Sequence, residues 1–196
     1  MNLTEVSPVP LAALPLEAYR DHLRLGRGFS DDELQDAVLE STLLAAVSAI
    51  ETRTGKALLR RSFRLRLDNW EAPGVQSFPR GPVQSVAKVA LVQADGSETI
   101  LADGSYYVLA DTFRPGIKAV TSFPQVPNGA FVEIRFDAGY GAQWDAIPDS
   151  LAQAVLILAA HFYETRDGLG TRGLPRMVRS LIEMFRDIRV FGGRPR

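Results

Sequence analysis

The chain has 196 residues, 46% apolar and 23% charged, which is ordinary globular usage and enough to bury a core in one large domain or two small ones. Its formal net charge of −1 gives no overall bias toward nucleic acid, anionic membranes or acidic substrates. It contains no cysteine, which excludes disulfides, thiolate metal sites and thiol nucleophiles.

The opening Met1-Asn2-Leu3-Thr4-Glu5 lacks the basic start of a signal peptide. The longest apolar run, Ala154 to Ala160, is far short of the roughly 20 residues that a membrane helix needs. A soluble protein made in the bacterial cytoplasm, with no membrane partner, is expected.

A short amphipathic helix is predicted over Leu16–Leu25, entered through Pro15. A second begins after Ser30, where Glu33 three residues on completes a capping box and Asp31 and Asp32 favour the helix dipole. It runs to about Thr54, with Gly55 placed as terminator. Ala45, Ala46, Ser48 and Ala49 in its second half are small enough for another backbone to approach.

From Leu59 the period changes to two. Phe63, Leu65 and Leu67 alternate with Arg64, Arg66 and Asp68, giving one buried and one wet face. Val86 to Val92 is a second strand. Ala-Asp-Gly-Ser then occurs twice, at Ala94–Ser97 and Ala102–Ser105, and predicts a meander of tight turns. As a calcium loop this string fails, since one carboxylate recurs per unit and the period is wrong. Phe131 to Asp137 is a further strand, with Val132, Ile134 and Phe136 inside and Glu133 and Arg135 outside.

A third helix is predicted from Pro148-Asp149 to about Arg166. It is apolar all round between Ala154 and Ala160 and so should be sandwiched. After a glycine-rich break at Gly168–Gly173, a fourth helix starts at Pro175. Its apolar stripe is read as Met177, Leu181, Met184, Phe185 and Ile188. The tail from Phe191 reads as loose. The fold class is therefore α+β: about four helices from both chain ends (1–58 and 145–196, with a C-terminal arm) and an inserted antiparallel β subdomain (59–144).

No catalytic constellation stands out, and no enzyme is expected. Gly168-Leu-Gly170-Thr-Arg-Gly173 matches the dinucleotide pattern literally, but a helix precedes it where that chemistry requires a strand. It reads instead as a hinge, and no cofactor is assigned. His161 and Glu164 lie one helical turn apart, the basis of an alternative reading as a small metal- or ligand-binding enzyme. A metal needs at least three or four ligands, and spacing suggests no third. No serine nucleophile elbow or P-loop lysine is present.

Charge is unevenly spread. Residues 1–55 carry nine Asp or Glu against four Arg, and residues 166–196 carry eight Arg against three Asp or Glu. The basic set is Arg166, Arg172, Arg176, Arg179, Arg186, Arg189, Arg194 and Arg196. Three readings stand: solvated faces, oppositely charged ends that meet within or between subunits, and an arginine tail that binds phosphates as a DNA-binding module.

Several segments together resemble a known family. Leu14-Pro-Leu-Glu-Ala-Tyr-Arg-Asp-His-Leu-Arg24 is similar to the opening helix of the head–tail connector (adaptor) proteins of long-tailed phages. Ile50-Glu-Thr-Arg-Thr-Gly-Lys-Ala-Leu58 resembles their second-helix terminus, and Pro79-Arg-Gly-Pro-Val-Gln-Ser-Val86 the start of their β section. Ala138-Gly-Tyr-Gly141, Ile147-Pro-Asp-Ser-Leu-Ala-Gln-Ala154 and Ala160-His-Phe-Tyr-Glu-Thr-Arg166 resemble their third-helix region. The matches fall in family order over nearly the whole chain, and gene transfer agents, which are domesticated phage particles, use similar adaptors. The resemblance implies a virion neck protein: a ring of about twelve subunits docked between the portal protein and a neck, stopper or tail-terminator protein. DNA passes through its lumen. It also implies a C-terminal helix and tail that grip the portal, and the basic end of the chain offers Arg176, Arg179, Arg186, Arg189, Phe191, Arg194 and Arg196 as the expected contacts. The family has no catalytic residues to carry over.

Overall fold

Helical periodicity at the ends and two-residue alternation in the middle fold into a helical layer joined to a β layer. The computed structural model describes residues 1–25, 32–165 and 173–186. Its helices are α1 (Leu16–His22), α2 (Asp32–Thr54), α3 (Asp149–Glu164) and α4 (Arg176–Ile182). Its strands are β1 (Asn2–Glu5), β2 (Arg61–Leu67), β3 (Val75–Ser77), β4 (Val83–Val92), β5 (Glu98–Ile100), β6 (Tyr106–Leu109), β7 (Gly116–Ala119) and β8 (Phe131–Ala138).

α1 is shorter than predicted because Arg24 takes a left-handed conformation at φ 56°. The N–H groups of Arg24 and Leu25 then close back onto the carbonyls of Asp21 and Arg20, both at 3.1 Å, and satisfy the helix's last acceptors. α2 ends at Thr54, directly before Gly55, as its sequence predicts. The capping box at Ser30 and Glu33 lies outside the described side chains. Leu39, Leu43, Ala46, Val47 and Ile50 form the buried face of α2 and meet Leu151, Ala154, Val155 and Leu158 of α3. Of the small residues, Ala46 is fully buried in this helix pair, whereas Ala45 and Ser48 face solvent. α3 is enclosed by α1, α2 and α4, which accounts for its unbroken apolar run.

The β layer has two antiparallel sheets. One has the order β1-β2-β8-β4-β5 and the other β3-β7-β6. Phe63, Leu65 and Leu67 of β2 lie opposite Phe136, Ile134 and Val132 of β8, so both strands place their apolar parity on one face. That face packs on Phe78, Ile117 and Ala119 from the second sheet's side, with Phe78 stacked 4.5 Å from Phe136. The sequence shows no strand at residues 2–5, which nevertheless pair with β2 as an edge.

Two expectations are corrected here. Glu133 is not outside but only 9% exposed. β8 is the central strand, and Arg135 Nε at 2.9 Å and Lys88 Nζ at 3.9 Å close over its carboxylate. The meander holds at the first Ala-Asp-Gly-Ser turn, which joins β4 to β5 with Val92 opposite Glu98. At the second it fails. The turn forms, with Ser105 N–H donating to the Ala102 carbonyl at 3.0 Å, but β6 leaves for the other sheet.

The two layers meet where the chain enters and leaves the β part. Arg60 N–H donates to the Gly141 carbonyl at 2.7 Å, and Tyr140 N–H to the Leu58 carbonyl at 3.2 Å. Gly139 sits at φ +136°, and a Cβ there would lie 2.5 Å from the Arg60 backbone. Only glycine allows the two crossings to touch.

Candidate functional site

α4 carries the described part of the predicted arginine surface. Pro175, at φ −51° and ψ 145°, caps this helix rather than starting it. Its inward face is Val178 (0% exposed) and Ile182 (1%), which join the helical core against α3. This overturns the predicted stripe. Met177 and Met184 stand 61% and 69% exposed, and of the described members of the predicted set Leu181 and Phe185 alone pack against the core, Ile188 lying outside the described residues. The reason is geometric: at 3.6 residues per turn, Val178–Ile182 and Met177–Leu181–Met184 are adjacent stripes of similar apolarity. The position of α3 selects between them.

With Val178 and Ile182 inward, Arg176, Arg179 and Arg186 all face solvent. Arg179 Nη2 donates to the Leu174 carbonyl at 3.3 Å. Arg186 Nη1 lies 3.1 Å from both carboxylate oxygens of Glu183, an exposed pair worth under about 1 kcal/mol. Arg176 has no hydrogen-bond or ion-pair partner among the described residues. The outer face of α4 and of the 3-10 turn that follows it (Glu183–Phe185) thus combines unneutralised cations with two exposed methionines. Arg189, Phe191, Arg194 and Arg196 lie outside the described residues, as do Arg166, Arg172 and the stretch from Gly168 to Thr171.

The alternative metal reading finds little to build on. His161 is half-buried at the end of α3, its carbonyl capped by Thr165 N–H at 3.0 Å and Thr165 Oγ1 at 2.6 Å. Among the described residues, no group of three or more His, Asp or Glu side chains is close enough to hold a metal. A pocket of 190 Å³ opens between the end of α2 and the loop before β7. That is below the roughly 300–1,000 Å³ of small-molecule sites. Its lining includes Arg53, Lys56 and Phe113 but no carboxylate or histidine that could act as a general base.

Sequence reasoning missed two buried ionic groups. Glu51 and Arg61, 3% and 6% exposed, form a two-point pair at 2.9 and 2.5 Å. Glu51 also accepts Leu58 N–H at 2.7 Å, and Arg61 Nε lies 2.8 Å from Glu5. Burial alone would lower the guanidinium's pKa. The hydrogen bonds and charges of Glu51 and Glu5 outweigh it and raise the value. Lys56, 2% exposed, donates to the Thr112 carbonyl and sits 4.8 Å over the Phe113 ring. A signal for the first existed: Arg61 shares the inward parity of Phe63 and Leu65, and Glu51 follows the buried Val47 and Ile50. Both groups join elements across the layer boundary, so their role is architectural.

No protein-family model and no curated protein matches the chain. Solved structures do. A chain from the neck of an empty GTA particle, computed with C6 symmetry, superposes with a TM-score of 0.92 at 48% identity, with 100% of each chain covered. A chain from the virion of a native gene transfer agent (GTA) particle gives 0.88 at 48% identity, again over 100% of both. A third, from the neck of a native GTA particle computed with C12 symmetry, gives 0.87 at 45% identity over 100% of both.

Proposed function

The chain belongs to the head–tail connector (adaptor) family of gene transfer agents, and from that membership we propose that it is a structural subunit of a particle neck. In this reading it forms a ring of about twelve copies that joins the portal to the neck or tail proteins beyond it, and DNA crosses the lumen. Its work is done by surfaces rather than by a reaction. The observation that carries the proposal is the end-to-end match at 48% identity to a chain of a GTA neck.

The portal-facing surface is the arginine-bearing outer side of α4 together with the arm that follows Arg186. Arg176 and Arg179 project from a helix whose other side is anchored by Val178 and Ile182, so they are held on a fixed base. Guanidinium groups so placed suit carboxylates on an acidic partner, with two-point geometry available.

Cosedimentation with isolated portal rings tests this. A chain ending at Arg186 keeps both core residues of α4 and is expected to fold and to lose portal binding. An Arg176→Glu/Arg179→Glu variant is expected to bind at least about tenfold more weakly, roughly 1.4 kcal/mol. Undiminished binding by both proteins would remove the arm and α4 from the portal contact.

A further inference from the structure

The five-stranded sheet ends in β1 on one side and β5 on the other, and both edges are open. Asn2, Thr4, Glu5 and all three residues of β5 are exposed. Open strand edges are sites of association that monomeric proteins blunt with charge or cover. Here the two edges carry opposite charge.

On the β1 side the outward face bears Arg64 and Arg66, both exposed. Arg64 lies directly opposite Arg135 across the β2–β8 ladder, and Lys88 of β4 is next in the same row. Like charges so placed weaken an isolated sheet. The nearby acids are already engaged: Glu133 by Arg135 and Lys88 of this same row, Glu5 by Arg61, and Asp68 by the N-terminal amine at 3.9 Å. Arg64 has no ion-pair partner among the described residues, and Arg66 lies 3.7 Å over the Phe131 ring.

On the β5 side, the two Ala-Asp-Gly-Ser turns set Asp95 and Asp103 at either end of the strand, both exposed. Ser97 N–H at 2.8 Å and Ser97 Oγ at 2.6 Å hold the Asp95 carboxylate ionised below its ordinary range. The nearby cation, Lys88, is engaged by Glu98 and Glu133. Each edge also exposes apolar side chains: Ile100 (64%) on the β5 side, Met1 (69%) and Val6 (60%) on the β1 side.

A closed ring requires two different, complementary patches on every subunit. We infer that the partner of each edge is a second copy of this chain: the β1 edge of one subunit docks on the β5 edge of the next, with Arg64 and Arg66 against Asp95 and Asp103. The inference rests on the ring reading above and gives it its subunit contact. The repeated turn motif then acquires a purpose beyond turning, since each copy delivers one carboxylate to the same edge.

The cysteine-free chain allows site-directed cross-linking. Thr4→Cys and Ile100→Cys proteins are mixed in the presence of portal rings and treated with a short bis-maleimide. A cross-linked dimer is expected in the mixture and not in either protein alone. Arg64→Glu/Arg66→Glu in the Thr4→Cys background should cut its yield at least tenfold. Asp103→Lys in the Ile100→Cys partner should restore it, because that carboxylate makes no hydrogen bond among the described residues and its change leaves the turn intact. Matching circular dichroism melts confirm that the exposed substitutions leave the fold alone. Rings seen by electron microscopy without the mixed cross-link would overturn this contact and leave the ring reading standing. Absence of rings from the unsubstituted protein with portal would overturn the ring reading itself. Loss of portal binding in Arg64→Glu/Arg66→Glu with an unchanged cross-link would reassign the arginine edge to the portal.

Discussion

Arg61 occupies the inward parity of β2, where Phe63, Leu65 and Leu67 would lead one to expect a fourth apolar residue. Its guanidinium is held between Glu51 and Glu5, so three separate segments converge on one side chain. Removing it strands the Glu51 carboxylate in the interior. Arg61→Ala is expected to cost about 3–5 kcal/mol, read as a lowered urea midpoint. A change below about 1 kcal/mol would show that water reaches Glu51. Alternation, carried back two residues from Phe63, was the signal that Arg61 points inward, and it was missed. Its partners were not legible, because Glu51 sits on a helix and Glu5 on an edge strand far away in sequence. Gly139 poses a comparable problem. The sequence marks it as a strand end, but only the touching backbones show why no side chain fits. Gly139→Ala should therefore destabilise well beyond Gly104→Ala, at which φ is also positive but no atom lies within 4 Å. Equal thermal midpoints for the two variants would contradict the close approach.

At the scale of elements, long and strongly patterned segments were readable and short ones were not. α2 and α3 announce themselves through buried positions repeated over several turns, and β2 and β8 through strict alternation. α4 has seven residues, too few for the hydrophobic period to choose between neighbouring stripes. Ile182→Ala should cost about 2–5 kcal/mol. Met177→Ala and Met184→Ala should stay within about 0.5 kcal/mol, as surface substitutions do. Denaturant midpoints of the three variants decide the register, and the predicted stripe would demand the reverse order. β1 escaped notice for another reason. Three- or four-residue edge strands owe their form to the strand beside them and carry little pattern of their own.

For the whole molecule, the sequence carried the α+β class and the charge imbalance, while the pairing of surfaces depended on the tertiary arrangement. The helical core gathers residues from α1, α2, α3 and α4, and the β core gathers residues 57–138. Residues 57–59 belong to both, Ala57 to one and Leu58 and Leu59 to the other. With so little chain between them, the cores are expected to unfold together. Far-ultraviolet circular dichroism and tryptophan fluorescence should give coincident transitions, and two separated midpoints would show independent units. Raising the salt concentration should weaken assembly through the sheet edges more than it weakens the fold, because only the former relies on exposed charges.

The twin crossings at Leu58–Arg60 and Gly139–Gly141 bear on how the molecule takes load. Two of the three connections between the layers, the third being the segment that leaves β1 for α1, run side by side and are bonded to each other, with the Arg61 chelate beside them. A pull that separates the layers cannot extend one connection while the other stays slack. The backbone bonds at the crossing and the buried ion pair would have to rupture together, which makes the junction stiff in tension. Force applied across the two layers would be passed from one to the other instead of being absorbed by bending at the junction.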